Sequence, residues 1–352
     1  MNPKNFLRRM LEIYSPSGQE TELANFLLNQ MSTMGFEAEI DEVGNVIGRI
    51  GEGKPTLLLC GHMDTVPGKL PVKERNGELS GRGAVDAKAP LAALILAAAG
   101  FTGKKIRGKI LAVGTVQEEG TSVGIRKIVE KGLKADYSIF GEPSNTKFIV
   151  VGYKGSLSVE LEIRTEPGHP ANPTVRNANE ELITLWQKIR GELGKYRTKS
   201  KYNSVSVSLG RLSGTDNQST AEIRVRIPPK TNCSETYEMI KKVVQEYHEK
   251  NPDVECSTKL IDATEPYEAE KRSPLIEALR SSIKQVTGED ARLIKKTGTG
   301  DMNIYGNSVK TSAVTYGPGD PRLDHTDHEK ISIKQFLDTI EILKKTIEKL
   351  VV

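Results

Sequence analysis

The chain has 352 residues, 37% of them hydrophobic, which suffices for globular folding and exceeds a single core of about 100 to 200 residues, so two domains are expected. The 50 basic and 46 acidic residues leave a net charge of +4, too balanced for a nucleic-acid-binding surface. Cys60, Cys233 and Cys256 are widely spaced and form no CxxC pair, which excludes a zinc ribbon or redox centre and fits a reducing cytosol.

The opening MNPKNFLRRMLEIYS lacks the apolar core and cleavage site of a signal peptide, and no apolar run approaches the roughly 18 residues of a membrane span. A cytoplasmic protein that binds no membrane is expected. Leu7, Met10 and Leu11, then Leu23, Phe26, Leu27 and Met31, recur at helical spacing. Short apolar runs at 46–50, 56–60, 109–116 and 136–140 end at Gly, His or acidic residues and read as core strands. Between them, 87–100 is rich in Ala and Leu with Pro90 placed early, as helix starts prefer, and 123–131 forms a second helical pattern. The alternation predicts an α/β fold, and open α/β sheets place their sites at strand ends.

From about residue 156 the texture changes. LSVELEI (157–163), SVSVSL (204–209) and AEIRVRI (221–227) alternate with period two, as half-exposed antiparallel strands do. Helical stretches at 177–193 and 235–250, the latter with Tyr237, Ile240, Val244 and Tyr247 on one face, fit two helices on one side of a small inserted sheet. Helix, strand and helix patterns return from Pro274 and end in an amphipathic helix over 333–350. The expected organisation is a catalytic domain over 1–155, an inserted α+β domain over 156–267, and the remainder of the catalytic domain over 268–352. No internal repeat or low-complexity tract interrupts it.

Six ionisable residues stand out because each follows a strand-like run or lies in a Gly- or Pro-marked segment: His62, Asp86, Glu118, Glu119, Glu142 and His325. Imidazoles and carboxylates are ligands zinc accepts, and two metals need about this many donors if one carboxylate bridges and another acts as base. In LLLCGHMDTVPG (57–68), His62 and Asp64 point to the same side of an extended chain, so His62 can ligate while Asp64 fixes the ring; an exposed turn is the alternative. Asp86, in GRGAVDAK (81–88), suits a bridge between cations or a simple helix cap. In VGTVQEEG (113–120) two adjacent carboxylates end a strand and must diverge; Glu118 is assigned as general base and Glu119 as ligand, against a solvated loop. Glu142, in FGEP (140–143), follows another strand, and His325, in GPGDPRLDHT (317–326), lies in a turn-rich loop before the last helix.

These motifs resemble, in order and over nearly the whole chain, those of the co-catalytic zinc hydrolases that include carboxypeptidase G, succinyl-diaminopimelate desuccinylase and acetylornithine deacetylase. The resemblance implies a zinc-peptidase-like mixed sheet with helices on both faces, and an inserted lid through which these enzymes commonly dimerise. It implies two zinc ions per subunit, with cobalt as a substitute: one held by His62, Asp86 and Glu142, the other by Asp86, Glu119 and His325. Asp86 would bridge, Glu118 would be the base and Asp64 its neighbour behind the ligands. In the lid, GHP (168–170) resembles the motif whose histidine, here His169, reaches the substrate and stabilises the oxyanion. Asn217 and Arg226 look like residues that bind the substrate carboxylate, although their spacing is shorter than in relatives. Ala89 stands where the family usually has Gly, and TGTGD (297–301) departs from its commoner Ser-Asp form.

Within the family, VPGKLPV (66–72), GRGAVDAK and KTGTGDMN (296–303) look like the enzymes that release lysine or ornithine from the amino-group carrier protein LysW. That likeness implies hydrolysis of the amide between the carrier's terminal glutamate γ-carboxyl and the α-amino group, in lysine or arginine biosynthesis, with charged LysW as partner. The carrier is acidic in that family, so a basic docking face is expected; KYRTKSK (195–201) is a candidate, with a solvated loop as the alternative. A deacetylase or deacylase of free N-acyl amino acids, such as N-acetylornithine, needs the same metal core. A non-catalytic metal-binding scaffold is the remote alternative, although Glu118 and every ligand are present. His248 and His328 receive no role.

Overall fold

The computed structural model describes residues 2–169 and 175–352. The chain forms two compact units, one of Met1–Val151, Ala269–Ile294 and Gly300–Val352, the other of Gly152–Glu268 with Lys295–Thr299.

In the first unit, α1 (Pro3–Glu12) begins where the Asn2 side chain accepts from the N–H groups of Lys4 and Asn5, and it buries Phe6, Leu7, Met10 and Leu11. Next come α2 (Thr21–Thr33), β1 (Glu37–Ile40), β2 (Val46–Ile50), β3 (Thr56–His62), β4 (Lys73–Arg75), β5 (Glu78–Ser80), α3 (Lys88–Ala99), β6 (Lys109–Thr115), α4 (Val123–Glu130), β7 (Tyr137–Phe140) and β8 (Phe148–Tyr153). Every residue of β3 is buried, as is α3 from Lys88 to Ala98, so the expected strand and helix are central elements without a wet face. Gly61 permits their approach: a Cβ there would lie 3.3 Å from Leu91.

The second unit contains β9 (Gly155–Thr165), α5 (Ala178–Gly194), β10 (Ser206–Gly214), β11 (Gln218–Ile227), α6 (Cys233–Lys250), β12 (Val254–Thr264) and β13 (Tyr267–Glu268). Its sheet is antiparallel, in the order β10-β11-β9-β12. Leu157, Val159, Leu161 and Ile163 of β9 and Ile223, Val225 and Ile227 of β11 form one face, and bury against Leu182, Leu185 and Ile189 of α5 and Ile240 and Val244 of α6. Fully burying such a side chain contributes about 1.5–3 kcal/mol, so the alternation read in the sequence marks the residues that bind this layer together.

The chain then gives α7 (Pro274–Thr287), β14 (Arg292–Lys296), α8 (Asp301–Val309), β15 (Ser312–Thr315), β16 (Lys330–Ser332) and α9 (Ile333–Val351). The large sheet runs β1-β2-β6-β3-β7-β15-β8-β13, with β14 also paired to β8. Its centre, β6, β3, β7 and β15, is parallel, while β1, β2 and β8 join antiparallel, so the sheet is mixed as expected. Among the described residues no helix is long and apolar enough to cross a membrane, and the three cysteines are free.

Candidate metal centre

The four parallel strands all deliver chemistry at their carboxyl ends. His62 is the last residue of β3; Glu118 and Glu119 follow β6, Glu142 follows β7, and the loop after β15 carries His325. Because β3 and β6 pair in parallel with His62 opposite Thr115, the two strand ends come level. Asp86 sits in the turn that enters α3.

Two trios of donors form around Asp86. Its Oδ1 lies 3.1 Å from His62 Nε2, which is 3.4 Å from Glu142 Oε1. Its Oδ2 lies 3.0 Å from His325 Nε2, which is 2.6 Å from Glu119 Oε1. In each trio the ligand atoms lie within 4.8 Å of one another, close enough to hold a metal ion. One carboxylate presents each oxygen to a different imidazole, as a bridge between cations does. Four carboxylates, Asp86, Glu118, Glu119 and Glu142, face only two imidazoles, so bound divalent cations would also balance the charge.

The carboxylates and imidazoles shift one another's proton affinity. Hydrogen bonds to Asp86 and Glu119 push the His325 imidazole up to about 11. Burial opposes a charge on His62, but the Glu142 carboxylate and hydrogen bonds to Asp64 and Asp86 carry it well above the usual histidine value. Burial also acts against ionised Asp86, yet His325 and His62 hold it below the usual carboxylate range. Glu118, which shares a third close group with His62 and Glu119, is driven well above that range by desolvation, the charges of Glu142, Asp301 and Glu119 adding to the effect and that of His62 opposing it.

Asp64 does more than face His62. Its backbone carbonyl lies 2.9 Å from His62 Nδ1, which leaves Nε2 for a cation, and its carboxylate Oδ1 is 3.4 Å from the same ring nitrogen. That carboxylate accepts from the N–H of Glu118 at 3.0 Å, the N–H of Glu119 at 3.1 Å and the Ser17 hydroxyl at 2.6 Å. Gln117 has φ +56°, a left-handed bend after β6. The two glutamates then part: Glu119 reaches His325, while Glu118 Oε1 sits where a Cβ on Gly300 would come within 3.1 Å.

The other expected site residues lie in the second unit. His169 is exposed, and Pro170 of its motif falls outside the described residues. Asn217 is exposed at the turn between β10 and β11, its Oδ1 accepting from Thr215. Arg226 donates to the Thr299 hydroxyl at 2.8 Å, and that hydroxyl donates to the Lys154 carbonyl. Lys195 and Arg197 line a groove of about 800 Å³ with Lys230 and Lys242. His248 Nδ1 meets the Val254 carbonyl, and His328 is exposed.

Sequence reasoning missed three residues around the centre. Asp301 is buried; its Oδ2 accepts from Thr115, its Oδ1 has no hydrogen-bond partner, and burial pushes it up to about 7. Arg82 and Glu329 form a buried ion pair at 2.7 Å beneath Asp86. The signal for Asp301 was its place at the head of α8 in an otherwise uncharged TGTGDMN run; nothing local marks Glu329.

Parallel strands converging on a dicarboxylate-and-imidazole cluster define a metal-dependent hydrolase. The chain belongs to the peptidase family M20/M25/M40, whose model matches residues 58–349. A Pyrococcus furiosus protein provisionally named LysW-lysine/LysW-ornithine hydrolase is 38% identical over 98% of this chain and 96% of its own. A Deinococcus radiodurans LysW-lysine hydrolase is 30% identical over 99% and 97%. The M20 family metallo-carboxypeptidase Sso-CP2 from Sulfolobus solfataricus superposes with a TM-score of 0.83 at 22% identity, covering 99% of both chains, and the Saccharomyces cerevisiae di-peptidase Dug1p with 0.82 at 15%, covering 99% of this chain and 95% of its own.

Proposed function

We propose that this enzyme hydrolyses the amide joining lysine or ornithine to the γ-carboxyl of the terminal glutamate of LysW, releasing the free amino acid. Near-full-length relatives named for that reaction, at 30–38% identity, support the substrate. The division of Asp86 between two donor trios carries the chemistry.

In this reading His62, Asp86 and Glu142 hold one zinc ion and Asp86, Glu119 and His325 a second, with cobalt able to replace either. Cations bound there would supply Lewis acidity, to polarise an amide carbonyl and to acidify the attacking water. Glu118 takes the attacking water's proton and returns it to the departing α-amine, a task suited to a carboxyl held above its ordinary range. Asp64 fixes the base by its grip on the Glu118 and Glu119 N–H groups. The second unit is assigned the roles of lid and dimer interface, with His169 stabilising the carbonyl oxygen as it gains charge and Asn217 and Arg226 binding the substrate carboxylate. The cations about Lys195 and Arg197 offer an acidic carrier a docking face. The cytosol is the proposed site of action.

The test is incubation of zinc- or cobalt-loaded enzyme with lysine- or ornithine-charged LysW and, separately, with N-acetylornithine, following the free amino acid by mass spectrometry. Preference for the charged carrier is expected; preference for N-acetylornithine overturns the substrate reading, and release from neither overturns both.

A further inference from the structure

The bridging role of Asp86 demands that two loops distant in sequence stay in register: residues 81–86, which carry Asp86, and residues 324–329, which carry His325. Glu329 has a side chain only 1% exposed, and one oxygen, Oε2, accepts from three groups of the turn, the N–H of Gly83 at 2.9 Å, Val85 at 3.1 Å and Asp86 at 3.3 Å. Its other oxygen, Oε1, accepts from Arg82 Nη1 at 2.7 Å. The same Nη1 donates at 2.8 Å to the carbonyl of Thr326, the residue after His325. Arg82 Nε and Nη2 reach the Gly68 carbonyl at 2.9 Å and Asp327 at 3.1 Å. His325 has φ +60°, a left-handed conformation that a non-glycine residue keeps only where its surroundings impose it.

We infer that the buried Arg82–Glu329 pair is the positioning device of this centre: Glu329 winds the turn that aims Asp86, Arg82 pins the strained loop that aims His325, and their mutual ion pair sets the distance between the two. The inference rests on the reading of Asp86 and His325 as metal ligands. Neither residue meets a cation or substrate in it; both act through the residues they hold. The partition is specific. Glu329 controls Asp86 and hence both ion sites, whereas the Thr326 bond of Arg82 controls His325 and hence only the site shared with Glu119.

The experiment titrates the metal-stripped full chain with Zn2+ against a chromophoric chelator, and with Co2+ while recording its visible ligand-field spectrum. The proteins are wild type, Glu329→Ala, Glu329→Gln and Arg82→Lys, each first checked for native circular dichroism and melting without metal. Outer partners of ligands typically govern metal affinity 10- to 100-fold. Glu329→Ala is therefore expected to weaken both sites by about that factor. Glu329→Gln keeps an oxygen for the three N–H groups but turns an amide donor toward Arg82, so the His62 site should be largely rescued and the His325 site should remain weak. Arg82→Lys, which cannot span Glu329, Thr326 and Gly68 together, should weaken the His325 site and alter its cobalt spectrum. Should Glu329→Ala fail to fold, the other two variants carry the test. Folded variants with wild-type affinity and cobalt spectra at both sites overturn the inference alone; a wild-type protein that takes up no Zn2+ or Co2+ overturns the metal reading and the inference with it.

Discussion

Adding metal to the metal-free enzyme should expel protons, in a number that follows from the geometry. His325 Nε2 lies between Asp86 and Glu119, and its imidazole is pushed up to about 11. His62, between Asp86 and Glu142, is also well above its ordinary value. At pH 8 the His325 ring therefore carries its second proton, and the shift of His62 acts in the same direction; a ring so protonated must lose that proton from Nε2 before the nitrogen can donate to a cation. Filling both sites should release at least roughly one proton per chain, from His325, with His62 and Glu118 adding to this as far as they hold theirs. A histidine at an ordinary value near 6.5 is only about 3% protonated at pH 8, so unperturbed rings would release roughly 0.06 protons between them. Isothermal titration with Zn2+ at pH 8, in buffers of different ionisation enthalpy, reads the number as a slope. Because the metal-free rings hold protons, affinity should climb with pH, and the contribution of His325 should level off only near 11. For His325→Ala the slope should fall by about one proton. A wild-type slope below about half a proton would refute the reasoning, since the rings would then be neutral beside their carboxylates.

Three other outcomes follow from the same cluster. Glu118→Gln removes the proton carrier but no member of the two Asp86 trios, so turnover should fall by about 100-fold or more with zinc content unchanged by elemental analysis; full activity would dismiss Glu118 as base. Gly300→Ala places a Cβ within 3.1 Å of Glu118 Oε1 and should lower kcat more than it raises KM; an unchanged kcat would show that the base tolerates displacement. Asp301, raised from 3.8 to about 7, keeps its proton in the folded metal-free protein over a range where the unfolded chain has lost it. Stability is therefore lost as pH rises from about 4 to 7, by up to roughly 4 kcal/mol at about 1.4 per pH unit. Asp301→Asn should remove that part of the pH dependence in metal-free melts between pH 5 and 8, and an unaltered dependence would rule it out.

The parts of the fold legible in the sequence are those where burial leaves a simple pattern. β3 and β6 are apolar through their middles because neighbours cover them, and β9 and β11 alternate because helices cover one face. β12 escaped notice for the opposite reason: at the sheet edge only its end residues, Val254 and Thr264, are buried, and an irregularity between Leu260 and Asp262 breaks the alternation. β8 was missed although most of it is buried; its FIVVGY stretch directly follows the polar turn after Glu142.

The candidate centre was legible where a ligand is the punctuation of a strand. His62, Glu118, Glu119 and Glu142 sit just where apolar runs stop, because a parallel strand that ends at a site must change from packing to chemistry within a residue or two. Glu329 obeys no such rule. It lies in HTDHEKIS, a polar stretch whose neighbours His328 and Lys330 are exposed, and read locally it is one more surface carboxylate. Its burial comes from Arg82 and from three N–H groups about 245 residues earlier in the chain. Ligands recur beside the strands that carry them, whereas the residues that hold two ligands in register must come from wherever the fold brings a counter-charge. That second group can be found only once the loops are placed in space, and it is there that this centre couples Asp86 to His325.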